Sequence, residues 1–208
     1  MTEARISEAR QRMPAAARRL QLLDVALGCF ASGGYHETSM EEIAEAAGVT
    51  KPVLYQHFHS KQELFLELLE SEGRDLLRDV ETRAAAQTDP YQQVRAGFRA
   101  YFEFACRRTS AFQLLFGSGA RLADEFAETV RRLEEGIAAV IAMMIEADID
   151  DEHRDLLGHA IVGLGEVAGR RWVATHPGEM DPDHAEEMAE RLADLVWAGL
   201  RALPRGER

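Results

Sequence analysis

Thr50, Lys51, Pro52, Val53 and Tyr55 are five closely spaced residues of a kind that does chemistry at an exposed surface rather than in a core. A lysine ammonium donates to guanine O6 and N7, an apolar Pro52 or Val53 suits a thymine methyl, and hydroxyls at helix starts suit phosphate oxygens. The bland alternative is that Tyr55 caps a core and Lys51 solvates a surface. The chain's only lysines, Lys51 and Lys61, stand ten residues apart. Two cysteines, Cys29 and Cys106, sit in apolar helical stretches and make no disulfide framework or zinc spacing.

The elements that must position this group are helices. Leu22, Leu23, Ala26, Leu27 and Phe30 recur at three- and four-residue steps over residues 18–31, and Ser32-Gly33-Gly34 closes that helix. Ser39 and Glu42 form an S-x-x-E capping box for a second helix of about two turns, which Gly48 ends. Thr50 is the expected N-cap of a third, with Pro52 in its first turn and an end near Phe58. Two short helices separated by Ala47-Gly48-Val49 have the geometry of a helix-turn-helix at 39–58. Ile43, Ala44, Ala47, Val49, Leu54 and Phe58 pack its core and leave Thr50, Lys51, Pro52, Val53 and Tyr55 outward.

Ser60 and Glu63 repeat the capping box before a long helix reaching about Gln87. Further helices are expected over Pro90 to Arg107, Ser110 to Phe116, Arg121 to Ala147, Asp151 to Thr175 and Pro182 to Leu203, for an all-α chain of nine helices. A boundary falls near residue 61. Residues 1–61 hold seven basic and seven acidic groups, five of the former being Arg5, Arg10, Arg12, Arg18 and Arg19 around the start of the first helix. Residues 62–208 hold 17 basic against 29 acidic and so carry the whole net charge of -12. The expected units are a DNA-binding part at 14–61 and a bundle at 62–208.

The segment RRLQLLDVALGCFASGGYHETSMEEIAEAAGVTKPVLYQHFHSKQELFLELL, residues 18–69, resembles the DNA-binding domain of the TetR family of transcriptional regulators. Gly34-Tyr35, Thr38-Ser39, Ile43-Ala44, Ala47-Gly48-Val49, Leu54-Tyr55, His57-Phe58 and Ser60-Lys61 stand at that family's spacing. The resemblance implies base-edge contacts from Lys51, Pro52 and Val53, and phosphate contacts from Tyr55, His57 and Lys61, joined by Ser39 and Thr50 through the helix N-termini they cap. Many members have serine and glycine or glutamine before the Leu-Tyr pair. Thr50, Lys51, Pro52 and Val53 depart from that pattern, so the operator sequence does not carry over.

The resemblance makes residues 62–208 a ligand-binding and dimerisation part. Phe98, Phe102, Cys106, Phe112, Leu115, Phe116, Phe126, Ile141, Met144 and Trp172 are the expected wall of an effector pocket, with Glu166, His159 or Arg170 to fix a polar head. Plain core is the competing reading of the same apolar residues. Gly158, Gly163, Gly165, Ala168, Gly169 and Gly199 place many small residues in the last two long helices, which in the family pair with their symmetry mates. Gly163, Gly165, Trp197 and Gly199 are the expected dimer contacts. The implied partners are a palindromic double-stranded DNA operator, a second copy of the chain and a small apolar effector, with no cofactor. YFEFACRRTSAFQLLFGSG (101–119) and the segment 163–204 are similar to the fatty-acyl-responsive branch of the family. A drug or aromatic-metabolite sensor of the same fold, and a helical adaptor that binds no DNA, are the alternatives.

Enzyme chemistry is not indicated. Gly163, Gly165 and Gly169 have the wrong spacing for G-x-G-x-x-G and follow no strand, and His153 and His159 miss the i, i+4 relation of a metal pair. Asp148, Asp150, Asp151 and Glu152 lack the glycine and terminal glutamate of a calcium loop. The longest apolar run, Ile137 to Ile145, is too short for a membrane span, and residues 1–20 have no signal-peptide core, so a cytoplasmic protein is expected.

Overall fold

The computed structural model describes residues 14–117, 124–176 and 181–204. Within them lie nine helices and no strand: α1 (Ala15–Glu37), α2 (Met40–Ala46), α3 (Lys51–Tyr55), α4 (Lys61–Ala85), α5 (Pro90–Arg107), α6 (Thr109–Phe116), α7 (Asp124–Met144), α8 (Asp151–Thr175) and α9 (Pro182–Leu200).

Local chemistry sets most of the boundaries. Asp89 accepts from the Gln92 amide at 2.9 Å ahead of Pro90, Asp150 from the His153 amide at 2.7 Å, and Asp181 from the Asp183 amide at 3.0 Å. Each carboxylate meets an orphan donor of the first helical turn. Helix α1 runs on through Ser32 and Gly33, with the Ser32 hydroxyl bonding back to the carbonyls of Gly28 and Cys29 rather than capping an end. The break comes at Gly34, whose φ of 76° an L side chain rarely adopts. Gly48, at φ 64°, does the same after α2. Several expected ends move. Helix α1 starts at Ala15, so Arg18 and Arg19 lie inside it, α3 stops at Tyr55 instead of Phe58, α7 stops at Met144 and α9 at Leu200. Arg5, Arg10, Arg12 and the expected α7 start at Arg121 lie outside the described residues.

Helix α6 lies on α1, α2 packs against α1 and α3, α5 against α4 and α9, and α7 against α4 and α8. The α7–α8 crossing brings backbones together. A Cβ on Gly158 would stand 2.5 Å from the Ala138 carbonyl oxygen, so glycine is what lets these helices meet. One aromatic cluster joins α1, α4 and α7. The Phe126 ring lies 4.6 Å from Tyr35 and 4.5 Å from Phe65, and Phe65 is edge-on to Phe30 at 5.0 Å. Phe126, expected as pocket wall, is therefore a fully buried joint between the helix-turn-helix part and the bundle.

Ion pairs tie the bundle. The buried Glu103 on α5 accepts from Arg83 of α4 at 2.9 Å and from Arg99 at 2.8 Å, with Arg107 at 3.2 Å. Burial alone would push its carboxyl up, but the bonds from Arg99 and Arg83 outweigh that and hold it below its ordinary value. Glu72 of α4, equally buried, has one cation, Arg108, at 2.7 Å, and here burial wins and raises the carboxyl.

Candidate functional site

The α2–turn–α3 unit presents a continuous polar face. Ile43, Ala44, Ala47, Leu54 and Phe58 are buried, while Ser39, Thr50, Lys51, Pro52 and Tyr55 are exposed and Val53 and His57 half-buried. Tyr55 keeps 40% of its surface in solvent, a large apolar ring offered outward beside a cation and a hydroxyl.

Ser39 makes both halves of its capping box. Its hydroxyl oxygen accepts from the Glu42 amide at 3.2 Å, and the Glu42 carboxylate accepts from the Ser39 amide at 2.7 Å. That amide bond, with the Ser39 side chain and the Lys61 charge adding to it, holds the Glu42 carboxyl below its ordinary value. Thr50 holds the N-cap position of α3, but its side chain makes no capping bond, unlike the expectation for it. Lys51 lies 3.4 Å from the Glu41 carboxylate, an exposed pair that water screens strongly.

Lys61 is half-buried against the end of α1. Its ammonium donates to the carbonyls of Tyr35, His36 and Thr38 at 2.8, 3.2 and 3.0 Å and sits 4.5 Å from the centre of the Tyr35 ring. Carbonyls at the end of α1 lack helical partners, and a cation there satisfies three of them together. Arg19 has a similar inward role. It bonds the Glu67 carboxylate and the His57 carbonyl, and its guanidinium lies 4.2 Å from the centre of the Phe58 ring.

In the bundle, helices α4, α5, α7, α8 and α9 surround a cavity of about 710 Å³, which Phe116 of α6 also lines. Of the residues expected as its wall, Phe98, Phe116, Ile141, Met144 and Glu166 line it. Phe102, Cys106, Phe112, Leu115, Phe126, Arg170 and Trp172 do not. The first group faces the void from α5, α6, α7 and α8. In the second, Phe102 packs edge-on against Trp172 at 5.7 Å, Phe112 faces Tyr101 and Phe116, Leu115 and Phe126 are core, and Cys106 lies 3.6 Å from the Asp181 carbonyl. Arg170 bonds the Glu166 carboxylate from one turn away on α8. Sequence reasoning missed Val94, Gly97 and Tyr101, the stripe that α5 turns to the cavity, and Val140 and Ile161 opposite. Their three- and four-residue steps along α5 were the available signal.

Two expected dimer contacts face inward. Gly165 lies under the Phe98 ring, 3.4 Å from where its Cβ would stand, and Trp197 lines the cavity with its ring 6.3 Å from Tyr91. Gly163 and Gly199 have open space where a Cβ would go. Exposed Leu156 and Val167 fall with Gly163 on one face of α8, and Leu195 with Gly199 on one face of α9. Among the described residues no helix is long and apolar enough to cross a membrane, and no group of three or more His, Cys, Asp or Glu could hold a metal ion.

Residues 22–68 match the family described as bacterial regulatory proteins, tetR family, and residues 109–206 that described as tetracyclin repressor-like, C-terminal domain. The chain is 32% identical over 195 residues, 93% of its own length and 87% of the relative's, to the HTH-type transcriptional activator FasR of Mycolicibacterium smegmatis. It is 32% identical over 168 residues, 74% and 72% of the two chains, to the HTH-type transcriptional regulator TcmR of Streptomyces glaucescens. Among solved structures, a TetR-like transcriptional regulator from Rhodococcus sp. RHA1 aligns with a TM-score of 0.74 at 29% identity, over 92% of this chain and 100% of that one. The exposed helix-turn-helix face and the helical bundle behind it thus have their counterpart in known regulators of transcription, and the chain belongs to the TetR family, whose members bind DNA and are not enzymes.

Proposed function

We propose that the chain is an effector-controlled regulator that binds a palindromic operator as a homodimer and changes its DNA affinity when an apolar ligand fills the bundle cavity. One observation carries this reading. Phe116, at the end of α6, lines the cavity, and α6 lies on α1, so the void and the helix-turn-helix part share an element. Lys51, Pro52 and Val53 are the proposed base-edge residues, and Ser39, Thr50, Tyr55 and His57 the phosphate contacts. Lys61 moves from that set to a positioning role, because its donors are already taken by three carbonyls.

The dimer reading is supported by the faces carrying Leu156, Gly163 and Val167 on α8 and Leu195 and Gly199 on α9, apolar surface with nothing packed on it in the single chain. The cavity's mostly aliphatic wall suits a long hydrocarbon such as an acyl chain. Its four rings, Phe98, Tyr101, Phe116 and Trp197, favour a flat aromatic compound as the second reading. FasR is named an activator, and KstR2 of the same organism, 27% identical over 198 residues, a repressor. Repression is the sign adopted here, since a dimer seated on a promoter excludes polymerase without any further contact.

The test is to select palindromic duplexes from a random library with the purified protein, then follow one by fluorescence anisotropy with and without medium- and long-chain alkyl and acyl compounds. A coupling of about 1–3 kcal/mol shifts the DNA dissociation constant about 5- to 150-fold. Failure to enrich any duplex would remove the DNA reading. An enriched duplex whose affinity no compound moves would remove effector control. A monomeric mass at micromolar concentration would remove the dimer.

A further inference from the structure

The cavity has a mouth and a depth. Pro90, Gln93, Asp148 and Leu200 border it where the chain is half-buried or exposed, while its wall at Phe98 and Phe116 is buried. An amphiphile seated here puts its apolar body against the rings and its head group beside Gln93. The Gln93 amide is oriented by the turn between α4 and α5, because its Nε2 donates to the Gln87 carbonyl at 3.0 Å. A carbonyl only accepts, so the nitrogen is the end that faces the turn and Oε1 is directed away from it. Among the described residues none donates a hydrogen bond to that oxygen.

Water satisfies such an oxygen until a ligand fills the mouth. A head group with an O–H or N–H replaces that water, whereas one that only accepts leaves a polar oxygen without a donor, and leaving a group unsatisfied costs more than a made bond gains. Tyr101, eight positions further along α5 and so about 12 Å deeper, and Trp197 carry donors, which serve an acceptor on the ligand and leave the demand at Gln93 unchanged. We infer that Gln93 is a polar anchor of the cavity, an acceptor that selects an apolar ligand whose head group bears an O–H or N–H over one whose head group only accepts. The inference rests on the cavity being the effector site proposed above. It narrows the ligand class there to alcohols and N–H amides over simple esters and ethers.

The test titrates the full-length protein calorimetrically with two pairs of eight-carbon probes below their solubility limits: octanol against octyl methyl ether, and octanamide against N,N-dimethyloctanamide. Each pair keeps the acceptor oxygen and loses the donor. The donor-bearing member is expected to bind at least about threefold more tightly in both pairs, although it is the less apolar of the two. Gln93→Met removes the amide at similar side-chain length, and both ratios should then fall to one or invert, since the added methyl groups favour the capped probes. A Gln93 that only staples the α4–α5 turn would instead lower the melting temperature on substitution and leave the ratios unchanged. That result, or a wild-type ratio at or below one in either pair, would overturn the inference while leaving the effector reading intact. Should the variant fail to fold, the two wild-type ratios decide. No binding by any of the four probes would overturn both readings.

Discussion

Replacing Lys61 by methionine keeps most of the stem and removes the ammonium, and with it three bonds to the Tyr35, His36 and Thr38 carbonyls and the contact over the Tyr35 ring. Each charge-assisted bond is worth up to about 2 kcal/mol when desolvated. The site is only half-buried and the bonds share one donor group, so their sum is far from additive, and the ring contact adds about 0.5–1 kcal/mol. A net loss of about 2 kcal/mol is expected. For a chain of 208 residues that is a fall of roughly 4–8 °C in melting temperature. The assay pairs urea unfolding of Lys61→Met with the salt dependence of its DNA affinity. A lysine seated on a phosphate would show the opposite pattern, with unchanged stability and a slope of log K against log salt smaller by roughly one. That pattern, found in the variant, would refute the positioning role and return Lys61 to the DNA contacts.

Four further outcomes are expected. Glu41→Gln releases Lys51 from its 3.4 Å partner, so DNA affinity at low salt should rise for all sequences, whereas Lys51→Ala should flatten the preference between operator variants; both are read by anisotropy. Gly158→Ala drives a Cβ into the Ala138 carbonyl and should cost about 1–3 kcal/mol in urea unfolding, while Gly163→Ala meets nothing in its own chain, so any loss it causes in dimer mass measures a partner across that face. Glu103, with its carboxyl held low, contributes stability above the ordinary carboxylate value that is lost as pH falls through the folded one; the deficit of Glu103→Gln relative to wild type should vanish in acid. Glu72, with its carboxyl raised, has the reverse sign: wild-type stability falls as pH rises from the ordinary carboxylate value to the raised one, and Glu72→Gln should lack that fall. Phe126→Ala opens the joint with Tyr35 and Phe65 and should cost about 3–5 kcal/mol, while Phe126→Leu should fold and weaken the effect of a bound ligand on DNA affinity.

What could be read from sequence was what depends on neighbours along the chain. Asp89-Pro90 announces α5, which spans the expected residues, because a cap and the turn it closes lie within four positions. The turn at Gly48 was legible for the same reason. Which residues face a void was not. Gly163 and Gly165 are two positions apart and so point to nearly opposite sides of α8, and only the packing of α5 against that helix puts Phe98 over Gly165. Phe98 and Phe102 share a stripe on α5, yet one borders the cavity and the other is sealed against Trp172. The hold on the Lys61 ammonium was not legible either, because its carbonyl partners lie 23 to 26 residues away, at an end of α1 that no local pattern links to it.

The same non-local contacts supply the route by which, under the proposed function, an event in the bundle would reach the helix-turn-helix. Helix α7 carries Ile137, Ile141 and Met144 on the cavity and Phe126 in the aromatic joint, and as one helix it transmits a shift at one end to the other. Phe126 abuts Tyr35, whose carbonyl and ring both hold the Lys61 ammonium. That ammonium also bonds the Thr38 carbonyl, immediately before the Ser39 cap that starts α2. Each link is a packed ring or a charge-assisted bond with little slack, and no link is a flexible loop. A ligand that displaces α7 by a fraction of an ångström therefore has to be accommodated either in the aromatic cluster, whose close packing resists it, or by rotation of α2 and α3 against the bundle. In the proposed dimer the second route is the one that would move Lys51 relative to its copy across the twofold axis.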